Sequence, residues 1–395
     1  MPDSTVEGKE PLYRQRSSAH FMIYAFLLLI PELILLAVVL WNVLAWPTIT
    51  AEAALEGEIS ILIPARDEEH NLGDCLSDVS IQGAVIKEIL IYDDHSTDLT
   101  PTIIEQYALS DERIRLIPSA TLPAGWGGKN FACAQLASAA RGEWLLFLDA
   151  DARLSKLAAA RMLNEVGARN LTLISCWPAL YLGSFWEQTL LPMLNFLVFT
   201  LYPAPLSLRR ADPSLGLAHG ACLLVRRDIY FAVGGHAAVR DAITEDIRLA
   251  QLWRERGERG LCLDGTGTVT VRMYRSLSEI WRGFQKNFFP GFRSHFTFWA
   301  FIALHSVLFL LPFVFSPVLI FRGGVAAWAL LPSVFCVLLM RLLLALRFKQ
   351  TLWPILLHPL AEAFLILLAL SSWWRCRGGK GVEWKGRSYH PRPQA

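Results

Sequence analysis

The feature that most constrains this chain is an alternation of short apolar runs with amphipathic stretches between residues 58 and 148. The runs at 59–64, 86–92, 114–117 and 144–148 are short and rich in Ile and Leu, whereas 68–82, 100–109 and 129–140 read as helical. Such alternation predicts an α/β domain with a Rossmann-like, mostly parallel sheet, its strands buried on both faces and its site at their carboxyl ends. Further strands are expected at 221–225 and 268–273, flanking a helix at 245–256.

The rest of the chain has a different character. Its 53% hydrophobic content, with 14 Trp and 22 Phe, exceeds that of an ordinary soluble domain. The excess is concentrated at 21–46 and 296–374, so a soluble module tethered in a membrane is expected. We divide the chain into a disordered N-terminus (1–19), a transmembrane anchor (20–47), an α/β module (58–295), C-terminal transmembrane helices (296–374) and a basic tail (375–395). The first apolar run is longer than a signal-peptide core and lacks a small-residue cleavage site after it, although Pro31 and Glu32 are costly in lipid. The stretch 179–206 is apolar but interrupted by Gly183, Glu187, Pro192, Asn195 and Pro203. It is expected to be a helix lying in the membrane interface, with a buried core helix as the alternative. Three apolar segments follow near 298–321, 325–346 and 352–374, with Arg341 and Glu362 as their chief charges. A net charge of +2 gives no reason to invoke nucleic acid, and seven scattered cysteines without a C-x-x-C argue against zinc or a disulfide framework.

The chemistry is concentrated at strand ends. Asp149 and Asp151 close the run at 144–148; carboxylates at i and i+2 on a strand point the same way and can share one hard cation, Mg²⁺ or Mn²⁺. A lone D-x-D closes many solvated turns, but two more acidic clusters follow the first two strands. These are Pro64-Ala65-Arg66-Asp67-Glu68-Glu69 and Asp93-Asp94-His95-Ser96-Thr97-Asp98. Asp93 or Asp94 could accept the N–H of a uracil ring, and the same residues suit an Asx turn capping the helix at Thr100. The glycine-rich segment before the helix at 129–140 places Gly128 and Lys129 at a helix N-terminus, which suits a phosphate. It lacks P-loop spacing, which disfavours an ATPase. Thr244-Glu245-Asp246 opens the helix at 245–256; acidic residues there complement the helix dipole, and a carboxylate so held can also act as a general base. Arg282 and Lys286 lie on one helical face, suited either to a leaving diphosphate or to lipid headgroups.

In this order and at these separations, P-A-R-D-E-E, Y-D-D-H-S-T-D, D-A-D, G-G-H and T-E-D resemble the family 2 inverting glycosyltransferases of the GT-A fold, over about residues 58–295. The segments at 122–130, 273–276, 358–362 and 384–387 resemble the membrane glycosyltransferases associated with carotenoid and hopanoid pathways. The resemblance implies a donor pocket drawing on Pro64, Arg66, Glu68, Asp93, Asp94, Gly128, Lys129, Asp149, Arg282 and Lys286. It also implies a metal-bound diphosphate on Asp149 and Asp151, and catalysis by Asp246 as base with Glu245 beside it. Two departures stand out: the family usually has Asn at the position of Asp67 and Gly at that of His95, so the second loop is expected to adopt positive φ less readily. The Q-x-x-R-W of processive members is missing from 281–287, which argues against a polymer-extruding synthase.

The expected activity is transfer of one sugar from a UDP-sugar to a lipid acceptor, carotenoid-, hopanoid- or polyprenyl-like, by a multi-pass protein of the inner (cytoplasmic) membrane with its catalytic module in the cytosol. The rivals are a metal-dependent nucleotidyl or phosphotransferase, which leaves Thr244-Glu245-Asp246 unexplained, and a lipid-binding or transport protein, disfavoured because the spans carry few charges and show no repeat between segments. The sequence specifies neither sugar, acceptor nor oligomeric state. Three full spans after the module would put the basic tail outside, against the positive-inside rule. The segment 352–374, with Pro354, Pro359 and Glu362, is the expected exception to full spanning.

Overall fold

The structure, a computed structural model, describes residues 10–50, 52, 56–292, 294–323, 328–377, 382–384 and 387–389. Helix α1 (Glu10–Ala45) runs without interruption through Pro31. It begins inside the segment 1–19 that was expected to be disordered.

The α/β module has a seven-stranded sheet of order β3-β2-β1-β4-β8-β6-β9. Its strands are β1 (Ile59–Ala65), β2 (Ile86–Asp93), β3 (Ile114–Ile117), β4 (Trp144–Leu148), β6 (Leu173–Trp177), β8 (Cys222–Arg226) and β9 (Gly260–Asp264). Only β8 runs against its neighbours, so the expected mostly parallel sheet is present with one reversed strand. β6 and β9 were not anticipated. A small second sheet joins β5 (Ala152–Leu154), β7 (Ala179–Leu180) and β10 (Val269–Val271). Because β5 starts directly after Asp151 and pairs with β10, the segment following β10 is carried back toward the D-x-D.

Strand alternation distributes the core between two faces. Ile59, Ile61 and Ile63 pack with Leu72, Cys75, Leu76 and Val79 of α2 (Leu72–Ser80), whose i, i+3, i+4, i+7 spacing makes one apolar stripe. The same face is covered by α3 (Thr100–Ser110) and α5 (Ala158–Arg169). Leu62 points the other way, into a cluster with Phe131 and Leu136 of α4 (Gly128–Ala139).

The segment 179–206 is not one interfacial helix. A capping box at Ser184 and Glu187 starts α6 (Phe185–Leu190), Pro192 opens α7 (Pro192–Leu201) and Pro203 precedes α8 (Ala204–Ser207). Phe196 and Phe199 of α7 are buried, with Phe199 stacked on Trp46 at 4.2 Å. α7 therefore lies in the core between the module and the apolar helices, matching the alternative reading of this stretch. Beyond β8 come α9 (Arg227–Ala232), α10 (Gly235–Ala238), α11 (Glu245–Glu255) and α12 (Leu277–Asn287).

The C-terminal region holds α13 (His295–Leu304), a π-turn at His305–Leu310, α14 (Leu311–Arg322), α15 (Leu331–Arg347) and α16 (His358–Arg377). Among the described residues, three helical runs are long and apolar enough to cross a bilayer: Ala25–Ala45, His295–Phe321 and Trp353–Arg377. The expected exception at 352–374 is thus one of the long runs, and the segment that falls short is the 17-residue α15. Arg347 of α15 bonds Asp264 at the end of β9 (2.5 Å), and the Trp46 indole donates to the Cys262 carbonyl (3.0 Å), tying the sheet to the apolar helices. In the tail, Val382–Trp384 pairs antiparallel with Arg387–Tyr389, and the first of these strands lies against α12.

Candidate active site

The carboxyl ends of β1, β2 and β4 open on one crevice, where the chain connections leave β1 in opposite directions. The first two loops are laced together. The backbone N–H groups of Asp67, Glu68 and Glu69 donate to Ser96 Oγ (2.9 Å), Thr100 Oγ1 (2.8 Å) and Asp98 Oδ2 (2.9 Å). Arg66 Nη1 donates to the Asp94 carbonyl (2.7 Å) and lies 3.8 Å from its carboxylate. Asp93 Oδ1 accepts from the hydroxyl and the N–H of Ser96, so this carboxylate builds the turn. Asp67 (φ 50°) and His95 (φ 58°) both occupy the left-handed region, so the second loop reaches positive φ without a glycine. The reciprocal bond from Thr97 N–H to Asp67 Oδ1 (2.8 Å) helps hold that geometry.

Lys129 is the electrostatic hub. Its ammonium lies 2.8 Å from Asp149 Oδ1 and 3.1 Å from Glu245, joining the D-x-D to the start of α11. Burial alone would lower this lysine, but Asp149 and Glu245 hold it well above its usual range. Glu245 is pulled below the carboxylate range despite its burial, because Lys129 faces it. Asp246 is different. Burial and then the Glu245 charge push it up to about 7, against Lys129 and two backbone donors. Those donors are Gly220 N–H to Oδ2 (2.7 Å) and Ile247 N–H to Oδ1 (2.8 Å). The pocket around these groups is also lined by Pro64, Phe147, His236 and Gly220.

Other residues hold the loop before α11 in place. Asn130 Nδ2 donates toward the carbonyls of Val239, Arg240 and Ala242 (2.9–3.1 Å), so the glycine-rich motif fixes the segment leading into α11. His236 is buried and lowered to about 4 mainly by that burial, hence neutral near pH 7, and its Nδ1 lies 2.9 Å from Tyr230 Oη. Gly235 sits at φ 49°, where a Cβ would lie 2.4 Å from the Tyr230 ring. Tyr274, just beyond β10, is half-buried within electrostatic reach of Asp151 and Asp149.

The expected residues are thus brought together unequally. Pro64, Lys129, Asp149, Glu245 and Asp246 line one pocket, Gly128 opens the helix that carries Lys129, and the Glu68 charge reaches Asp149. Arg282 does not join them: it is exposed on α12 and donates back to the Ser278 carbonyl (3.3 Å), and Lys286 is no part of the pocket lining either. Gly220, Asn130 and Tyr274 had no role assigned from sequence, although Asn130 and Tyr274 lie in the segments 122–130 and 273–276 that carry the resemblance.

Asp149 and Asp151 offer hard oxygen ligands, and no group of three His, Cys, Asp or Glu able to hold an ion occurs among the described residues. Such a pair suits a divalent ion that completes its shell with substrate phosphates and water.

The sheet order and the crevice at its strand ends are those of the GT-A fold. Residues 60–233 match the family model for glycosyl transferase family 2, and the chain carries a family 2 glycosyltransferase domain. It is similar to the 4,4'-diaponeurosporenoate glycosyltransferase of Staphylococcus aureus (strain USA300), with 26% identity over 349 residues, covering 84% of this chain and 88% of that protein. Among solved structures, a mannosyltransferase from Pyrobaculum calidifontis in complex with GDP-Man and Mn²⁺ shares the fold. Its TM-score is 0.55 at 17% identity, covering 90% of this chain and 98% of that one.

Proposed function

We propose that the protein transfers a single sugar from a UDP-sugar to a hydroxyl or carboxyl group of a membrane lipid, with inversion at the anomeric carbon. The observation that carries this reading is the Lys129 bridge between Asp149 and Glu245, which puts the D-x-D and the T-E-D motif in one crevice beside Asp246. The acceptor oxygen attacks the anomeric carbon, the bond from that carbon to the diphosphate breaks, and UDP departs. When the acceptor is a hydroxyl, its proton passes to Asp246. A carboxyl held near pH 7 is suited to this task, because a base works best with a pKa close to the working pH.

Asp149 and Asp151 would hold Mg²⁺ or Mn²⁺, which when bound neutralises charge growing on the leaving diphosphate. Arg66 and Asp94, paired at the ends of β1 and β2, would flank the nucleotide base. A lipid acceptor is supported by α7, whose buried face packs the catalytic module onto the apolar helices, and by the lipid-like substrate in the name of the staphylococcal relative. With the module in the cytosol, the two long runs after it return the tail to the cytosolic side, in keeping with its positive charge.

The test is to incubate the purified protein in membranes with Mg²⁺ or Mn²⁺ and a panel of UDP-sugars plus GDP-mannose, then extract lipids for mass spectrometry. A glycosylated lipid formed with release of free UDP supports the proposal. Release of pyrophosphate, or transfer from GDP-mannose alone, contradicts it.

A further inference from the structure

A second cavity lies away from the crevice, between α15, the start of α7 and the loop that leads into α16; Gln188, Arg341, Gln350 and Thr351 line it. Its polar groups are mismatched in favour of donors. Arg341 is buried (4% exposed), and the hydrogen-bond acceptor it meets among the described residues is the Met193 sulfur at 2.9 Å, a weak one. The Phe196 ring lies 5.9 Å away. The nearby acidic group is Glu362, already bonded to His305 at 2.6 Å. Gln350 Nε2 is buried with no partner among the described residues. The Gln188 carbonyl oxygen, the natural acceptor here, is taken by Thr351 Oγ1 and Trp353 Nε1 (both 3.2 Å).

The rim has the opposite character. Phe185 (49% exposed) stacks on Trp353 (44%) with ring centroids 5.3 Å apart, and Leu352 and Leu356 are exposed beside them. Exposed aromatic residues at the start of a long apolar helix are the pattern of a membrane–water interface. A buried cation and an unused amide donor behind an apolar, aromatic rim suit an anionic oxygen delivered from a lipid.

We propose that this cavity binds the phosphate of an anionic membrane phospholipid, with Arg341 supplying the charge and Gln350 a directing hydrogen bond. The inference rests on the membrane placement of the long apolar helices proposed above and is independent of sugar transfer. Full-length protein in a neutral detergent is to be titrated with phosphatidylglycerol, phosphatidylcholine or inorganic phosphate, reading bound lipid by native mass spectrometry and the melting midpoint in parallel. Phosphatidylglycerol is expected to bind at one tight site and raise the midpoint, while phosphatidylcholine does neither. Gln350→Leu, on a loop, removes one hydrogen bond to a charged group and should weaken binding about tenfold; Arg341→Gln should weaken it further and Arg341→Lys less. Equal binding of the two lipids, or unchanged phosphatidylglycerol affinity in folded Gln350→Leu, overturns the site. Inorganic phosphate matching phosphatidylglycerol at equal concentration overturns the lipid assignment.

Discussion

Replacing Asp246 by Asn tests the proposed mechanism most directly. The carboxylate accepts from two backbone donors, Gly220 N–H and Ile247 N–H, whereas an amide offers one oxygen and turns its NH₂ toward the other donor. Leaving that donor unsatisfied costs about 1–3 kcal/mol. An opposing effect comes from ionisation. Because the folded-state value is raised from 3.8 to about 7, the unfolded chain ionises first, and the stability contributed by the neutral form is lost as pH rises through that window. An uncharged Asn escapes this loss, so at neutral pH the two effects offset and the melting midpoint should move little. The chemical step should respond differently. With a hydroxyl acceptor, loss of the base should slow single-turnover transfer by roughly 10²–10⁴-fold while UDP-sugar affinity, measured by calorimetry, is retained. The wild-type rate should fall about tenfold per pH unit below a pH near 7, and the variant should lack this acidic limb. A carboxylate acceptor arrives already ionised and makes no demand on a base, so its transfer should be far less affected. Folded Asp246→Asn transferring to a hydroxyl acceptor at near wild-type rate would refute the assignment of Asp246 as base.

Four further outcomes are expected. Asp151→Ala should abolish Mn²⁺-dependent UDP binding while leaving the fold intact; calorimetry with and without metal decides it, and unchanged metal-dependent binding would contradict the metal role. Lys129→Met removes a charge that lowers Asp246, so the acidic limb of the pH–rate profile should move to higher pH; a shift the other way would show that the ammonium does not act on the base. Gly220→Ala places a Cβ 3.1 Å from Lys129 Nζ and 3.3 Å from Asp246 Oδ2, and it should reduce turnover well before it changes the melting midpoint. His95→Gly relieves a left-handed backbone on an exposed residue and should stabilise the protein by up to about 1 kcal/mol, whereas His95→Val should destabilise it by a similar amount or more.

What the sequence showed follows from what local pattern can encode. β1, β2 and β4 were legible because buried parallel strands leave dense aliphatic runs, and α2 because its apolar stripe has helical spacing. β6 and β9 escaped because Leu173–Trp177 mixes Ser, Cys and Trp into its run and Gly260–Asp264 begins on glycine and ends on aspartate, though all ten residues are buried. The character of 179–206 was settled by distant partners: Asn42 of α1 donates to the carbonyls of Phe199 and Tyr202 (2.8 and 2.7 Å), which no window on the segment itself contains. The acidic motifs pose the same problem at finer scale. As letters, Asp93, Asp94, Asp149, Glu245 and Asp246 are equivalent carboxylates. Folding separates them by partner: Asp93 is spent on a turn, Asp94 faces Arg66, and Asp149 and Glu245 share Lys129. Asp246 accepts from two backbone N–H groups and sits beside another acid, so burial and that neighbouring charge carry it to about 7, which is why we assign the proton transfer to it.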